Sequence, residues 1–158
     1  NVGVYTITVP LKVMKQLTEN NFTTVGTDQF IMDTRLMMVK VKEAIRGINP
    51  VVSENTSLTD AIIKMTEFGY GAVTVTKADG SIKGVFTDGG LRKLIIDKGR
   101  DVLNKKLSDL EYRDPISIDG NVLLNEANTL FKKTNVDTIV VTDGGKPVGM
   151  LDIQDMKG

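Results

Sequence analysis

The chain has 158 residues, 41% apolar and 25% charged, enough for one compact core or for two small units that share one. Twenty basic residues balance twenty acidic ones, and no basic stripe stands ready to neutralise a run of phosphates, so nucleic acid is not an expected partner. Cysteine and histidine are both absent, which removes disulfides, thiolate nucleophiles, zinc–sulfur sites and every catalytic triad built on an imidazole.

The apolar runs are too short to span a bilayer and no signal peptide is visible, so the expectation is a cytoplasmic location without a membrane partner. The chain opens on Asn1 and reads as a fragment of a longer protein. Residues 1–38 form an N-terminal helix/strand segment. Val2–Val9 has strand character, and Pro10–Phe22 carries Leu11, Met14 and Leu17 on one helical face.

From residue 39 the pattern becomes regular. A short helix or turn over Val41–Arg46 precedes Asn49-Pro50-Val51, a turn running into a strand. An amphipathic helix follows, with Leu58, Ile62 and Met65 at helical spacing. Thr56 or Ser57 caps it, Asp60 standing three after Ser57 as in a capping box. The β-branched run Ala72–Thr76, the turn signal Asp79-Gly80 and Gly84-Val85-Phe86 predict a hairpin. A closing helix begins near Asp88. Residues 97–106, charged and with Gly99 inside, read as a connector.

The same features then return: a turn over Leu107–Leu110, Asp114-Pro115-Ile116, and a helix capped by Asn121 with Leu123, Ala127, Leu130 and Phe131 on its apolar face. The strand Asp137–Val141, the turn Gly144-Gly145, Gly149-Met150-Leu151 and a closing helix near Ile153 complete the second copy. Pro115, Gly145 and Gly149 each lie 65 positions after Pro50, Gly80 and Gly84, which marks an internal repeat. The predicted architecture is α/β (α+β): two βαββα units, 39–97 and 105–158, packed about a pseudo-twofold axis. Units of roughly 60 residues bury too little surface alone, so their apolar sheet faces should meet.

A proline-led strand, a helix, a hairpin and then Gly84-Val85-Phe86-Thr87-Asp88-Gly89-Gly90-Leu91 resemble the CBS domain, in which Gly-apolar-apolar-Thr-x-x-Asp opens a helix. Gly149-Met150-Leu151-Asp152-Ile153-Gln154-Asp155-Met156 is the second instance, and the resemblance covers about residues 40–158. The implied fold is a tandem CBS pair, or Bateman module. Residues 84–92 and Arg35-Leu36-Met37-Met38-Val39-Lys40-Val41 further resemble CBS pairs attached to sugar-phosphate isomerases of the arabinose-5-phosphate isomerase type, and the junction that leads into them. Where that family places His-Pro-Gly-Gly, this chain has Gly26-Thr27-Asp28-Gln29-Phe30.

The resemblance implies a nucleotide-type ligand, an adenine nucleotide or a CMP-sugar, held in clefts between the units, with no catalytic residue and no metal in this chain. It also implies a homodimer formed through the CBS helices, with Leu91, Leu94 and Ile95 as contact faces. In the family an Asp three positions after the Thr holds the ribose hydroxyls. Here the first copy has Thr87 with Gly90, and the second has Asp152 with Asp155. Other candidate ligand residues are Asp88, Asn49, Pro50, Tyr70, Ala72, Val73, Asp114, Pro115, Asp137 and Thr138.

The residues themselves permit plainer roles. A helix N-terminus attracts phosphate, but Thr87, Asp88 and Asp152 are equally good helix caps. Asp155 fits an exposed helix position, and Tyr70 fits an edge-packed aromatic. Arg92, Lys93 and Arg113 suit phosphate or solvent. Asp60, Glu67 and Glu126 read as helix-surface charges. Three functions follow: a nucleotide-responsive regulatory module of a larger sugar-phosphate enzyme, a structural or dimerisation module with non-functional clefts, and an enzyme, against which the missing histidine counts.

Overall fold

The computed structural model describes residues 21–112 and 114–156. The expected strand over Val2–Val9, nearly all of the helix over Pro10–Phe22, and Arg113 lie outside them. The chain divides into two compact units, residues 1–35 and 36–158. Helix α1 (Asn21–Met38) includes Gly26–Phe30 within its helical backbone.

The second unit opens on a single turn, α2 (Val41–Ala44), before β1 (Val51–Ser53), α3 (Leu58–Phe68), β2 (Ala72–Thr76), β3 (Ile82–Thr87) and α4 (Asp88–Lys98). Two 3-10 turns, Arg100–Asn104 and Leu107–Asp109, lead to β4 (Ser117–Asp119), α5 (Leu124–Thr134), β5 (Thr138–Asp143), β6 (Lys146–Asp152) and a last 3-10 turn, Ile153–Met156. The strands form two three-stranded sheets, β1-β2-β3 and β4-β5-β6, each with one parallel and one antiparallel pairing. Both copies are thus β-α-β-β, closed by a helix in the first and by a 3-10 turn in the second.

Local chemistry accounts for several helix ends. The Ser57 hydroxyl accepts from the Asp60 amide at 3.1 Å and donates to its carboxylate at 2.7 Å, fixing the start of α3. Gly69 (φ 67°) ends α3, and Asn135 (φ 53°) ends α5 in the same left-handed conformation. The expected cap at Asn121 is not one. Helix α5 starts three residues later, at Leu124, whose amide donates to the Val39 carbonyl at 2.9 Å. Asn121 instead accepts from Lys42 Nζ at 2.8 Å. That later start buries Leu124, Ala127 and Phe131 and leaves Leu123 40% exposed.

The repeat holds, but its register is not uniform. Val51 pairs with Thr74 and Ser117 with Val140, a 66-residue offset on both strands. Beyond the hairpin turn, Val75 pairs with Gly84 and Val141 with Gly149, so β6 trails β3 by 65. The second hairpin is therefore one residue shorter. In consequence Pro50 corresponds to Ile116: each passes its carbonyl to the next strand, Pro50 to the Thr74 amide at 2.7 Å and Ile116 to the Val140 amide at 3.0 Å.

The leading turns are exchanged between the copies. Leu58 N–H donates to Lys105 O, and Leu107 N–H to Thr56 O, both at 2.9 Å. The mirror pair is Leu124 N–H to Val39 O and Val41 N–H to Val122 O, also at 2.9 Å. So the turn before each repeat docks on the other repeat. The expected connector is accordingly part of the structure: its Val102 is buried in one core with Leu107 and Leu110 of the second repeat's leading turn and with Val52, Leu58, Met65, Val73 and Phe86. Leu91, Leu94 and Ile95 pack partly against this same core, which turns the proposed contact face of α4 inward. The sheets meet where Ala72 of β2 packs with Val140 of β5 and Met150 of β6. Every residue of β2 is buried, because one face serves the helix side and the other the seam.

Candidate functional site

A cleft of about 720 Å³ opens at this seam. Gly71, Ala72, Thr87 and Asp88 of the first repeat form one wall, and Asp114, Pro115, Asp137, Thr138 and Asp152 of the second form the other. Tyr70 also lines it, although the residue is only 9% exposed and packs with Ala72, Val140 and Met150 as an edge aromatic does. Nine of the thirteen candidate residues therefore come together on one cavity, which makes the repeat geometry a better guide than any single residue. Val73 points to the core and is fully buried. Asn49, Pro50 and Asp155 belong to the opposite half of the pseudosymmetric pair and are absent from this lining.

Several side chains that define the cleft are already engaged. Thr87 caps α4, its hydroxyl accepting from the Gly90 amide at 3.0 Å. Asp88 N–H donates to Gly71 O at 3.0 Å, and its symmetry counterpart, Ile153 N–H, donates to Asp137 O at 2.9 Å. Gly71 has φ +61°, and a Cβ on it would sit 3.0 Å from Asp88 Oδ2, so glycine is what allows that carboxylate to approach. Asp152 caps the last turn, accepting from the Gln154 amide at 2.8 Å.

Tyr112 shapes the floor. Its hydroxyl donates to Leu107 O at 3.0 Å, and its ring lies over Gly84. Half-burial, with the charge of Glu54 adding to it, pushes this phenol up to about 12. Neither Tyr112 nor Glu111, which also lines the cleft, was singled out by the sequence. The signal that could have found Tyr112 is Gly84: a glycine inside a strand marks the close approach of another group.

The lining is acidic. Asp88, Glu111, Asp114, Asp137 and Asp152 face it, and among the described residues no lysine or arginine does. Arg92 and Lys93 lie on exposed positions of α4 away from it. Asp60 and Glu67 are committed to Ser57 and Lys64. Such a cleft suits hydroxyl and amino donors within it better than a buried phosphate.

In the opposite half, Asp155 is held by Arg46, whose Nε donates to its Oδ1 at 2.8 Å. The Arg46 guanidinium also stands 5.0 Å above the centre of the Tyr70 ring. The hydrogen bond to Asp155, and then its charge, raise the already high Arg46 value. Burial, with Asp155 adding to it, raises Tyr70.

The sequence profile of the CBS domain matches residues 41–97 and again 107–157. The chain belongs to the CBS-domain family. Among curated relatives, the arabinose 5-phosphate isomerase KdsD of Yersinia pestis is 34% identical over 107 residues, 68% of this chain and 32% of that protein. The chain spans about a third of the length of the curated relatives it matches. Among solved structures, a CBS domain protein from Pyrobaculum aerophilum complexed with AMP superposes with a TM-score of 0.66 at 16% identity, covering 74% of this chain and 89% of that one. The CBS domain pair of protein MJ0100, solved with 5′-methylthioadenosine and S-adenosyl-L-methionine, gives 0.65 at 16%, covering 75% and 92%. These likenesses agree with the paired sheets of this CBS pair. No helix among the described residues is long and apolar enough to cross a membrane.

Proposed function

We propose that this CBS pair is the regulatory, ligand-sensing part of a larger sugar-phosphate isomerase of the arabinose-5-phosphate type, and that it binds a nucleotide or nucleotide-sugar in the 720 Å³ cleft. The cleft itself carries the reading. Its volume falls in the range of small-molecule sites, it lies between the two repeats, and it joins a few polar groups to apolar walls. The carboxylates accept from ribose hydroxyls and from an amino group on the base, and a phosphate is directed toward the mouth, away from them. The adenosine-type ligands of the two solved CBS neighbours support the ligand class, and the kinship with isomerases supports the parent.

A thermal-shift panel of AMP, ATP, S-adenosylmethionine and CMP-activated sugars tests it. A ligand at a hundred times its Kd stabilises the folded chain by ~2.7 kcal/mol. In a chain of this size that raises Tm by about 5–10 °C. A flat response across the panel rejects the reading.

A second reading, a dimerisation module, is favoured by the outer helix faces. Helix α4 has no fully buried residue, Ile96 on it is 82% exposed, and Ile63 on α3 is 50% exposed. Substituting Ile96→Glu is expected to convert dimers to monomers in light scattering at increasing concentration. A wild-type chain that stays monomeric throughout rejects this reading.

A further inference from the structure

The two exchanged joints share their backbone bonds but not their side chains. At the second leading turn, Leu58 N–H donates to Lys105 O and Leu107 N–H to Thr56 O at 2.9 Å, and Ser108 N–H to Glu54 O at 2.6 Å. The counterparts at the 66-residue offset are Leu124 to Val39, Val41 to Val122 and Lys42 to Gly120, each at 2.9 Å. The side chains diverge. Val102, Leu107 and Leu110 are buried and Leu103 partly so at the second turn, where the first has Leu36, Val41, a partly buried Ala44 and a Met37 that is 65% exposed. Beyond each turn a side chain rests on a strand glycine, Tyr112 on Gly84 and Ile45 on Gly149. Tyr112 also ties back to its own turn, donating to Leu107 O at 3.0 Å, which an isoleucine cannot do. Lys83 of β3 adds a latch. It donates to Glu54 at 2.8 Å and to Ser108 O at 3.3 Å, and the Lys83 and Glu54 side chains are only 22% and 23% exposed. At the first joint those positions are Val148 and Gly120, and Lys42 makes only an exposed bond to Asn121.

We propose that the first leading turn is a releasable joint and the second a fixed one. Residues 36–44 lift off the second repeat as a unit while the rest of the module stays folded. They turn on the chain at Arg46 and Asn49, which Asp155 and Pro147 O hold. Matching backbone bonds contribute equally at the two joints. Opening is therefore set by the apolar side chains that must be exposed and by the latch, and both are smaller at the first turn. The asymmetry has a direction. The fixed joint leads into Glu111 and Tyr112 on the open cleft. The releasable one follows α1, which ends at Met38, one residue before the Val39 carbonyl that holds Leu124. A displacement of α1 is taken up at this joint and leaves the cleft floor in place. The device belongs to the fold and stands whatever ligand the cleft holds.

Hydrogen exchange of the intact chain, followed residue by residue by NMR, tests this with the molecule as its own control. After correction for intrinsic rates, the amides of Val41, Lys42 and Leu124 are expected to exchange at least about tenfold faster than those of Leu107, Ser108 and Leu58. That difference is smaller than the burial of one leucine would give. Equal rates, or faster exchange at the second joint, overturn the proposal. Lys83→Met keeps the apolar stem and removes the latch. It is expected to speed exchange at Leu107 and Ser108 at least about threefold and to leave Val41 and Lys42 unchanged, whereas an equal rise at both joints overturns the proposal. Should that variant not fold, limited trypsin digestion of the wild-type chain gives a second reading, because Lys40 and Lys106 are counterparts at the same offset. Cleavage after Lys40 or Lys42 is expected ahead of cleavage after Lys105 or Lys106, and any other order overturns the releasable joint.

Discussion

Leu107→Ala is expected to lower the melting temperature by about 6–12 °C, which is the effect of about 3 kcal/mol in a chain of this size. Leu107 opens the leading turn of the second repeat, just after the charged connector, where a leucine would ordinarily be tolerant of change. Here it is fully buried in the core of the first repeat, beside Leu58 and Val102. Its amide also closes the exchanged pairing with Thr56. Truncation removes apolar area and leaves a void that backbone pinned on both sides cannot collapse to fill. The control is Leu123→Ala. Leu123 precedes α5 and is 40% exposed, so its loss is expected to shift Tm by no more than about 2 °C. Scanning calorimetry of the two variants separates an exchanged, structural connector from a passive one. Equal, small shifts would refute the exchange as a source of stability.

What the sequence made legible follows the range of the interactions involved. Ser57 and Asp60 are three residues apart, and their capping pair reads directly from the local pattern. The repeat was legible because β-branched runs and glycine turns recur at nearly fixed spacing, while Thr87, Asp88, Asp114, Pro115, Asp137 and Thr138, which line one cleft, were named through the resemblance to the CBS domain. The single-residue difference between the hairpins was not legible. Asn49-Pro50 and Asp114-Pro115 look equivalent as letters, while the strand hydrogen bonds align Pro50 with Ile116. Asn121 failed as a cap for a related reason: the carbonyl of Val39, just ahead of α2, already satisfies the first amide of α5, so no side chain is needed there. Arg46 and Asp155 meet only because the leading turn crosses to the other repeat, and no local spacing encodes that meeting. The connector misled because Val102 and Leu103 stand among charged residues that face solvent, so composition concealed the two apolar positions that reach the core.

Gly84→Val is expected to destabilise the chain by about 3 kcal/mol and to weaken ligand binding in the open cleft at least about tenfold. Strand propensity argues the other way. Gly84 sits in the interior of β3, without the positive φ that would demand glycine, and valine is among the best strand residues. The obstacle is Tyr112. A Cβ at position 84 would lie 2.5 Å from its Cγ and Cδ1 and 2.6 Å from its Cβ, so both the ring and its root must move. Moving it breaks the bond from its hydroxyl to Leu107 O and tilts the floor of the cleft. Gly149 makes a useful contrast, because there the nearest atom is the terminal methyl of Ile45, which can rotate aside. Gly149→Ala should therefore cost less than Gly84→Ala. A double-mutant cycle with Tyr112→Ala completes the test: relieved of the ring, Gly84→Val should recover about 1–2 kcal/mol relative to the sum of the single changes. If Gly84→Val instead raises Tm, propensity outweighs the clash, and Tyr112 is not the rigid floor on which the cleft depends.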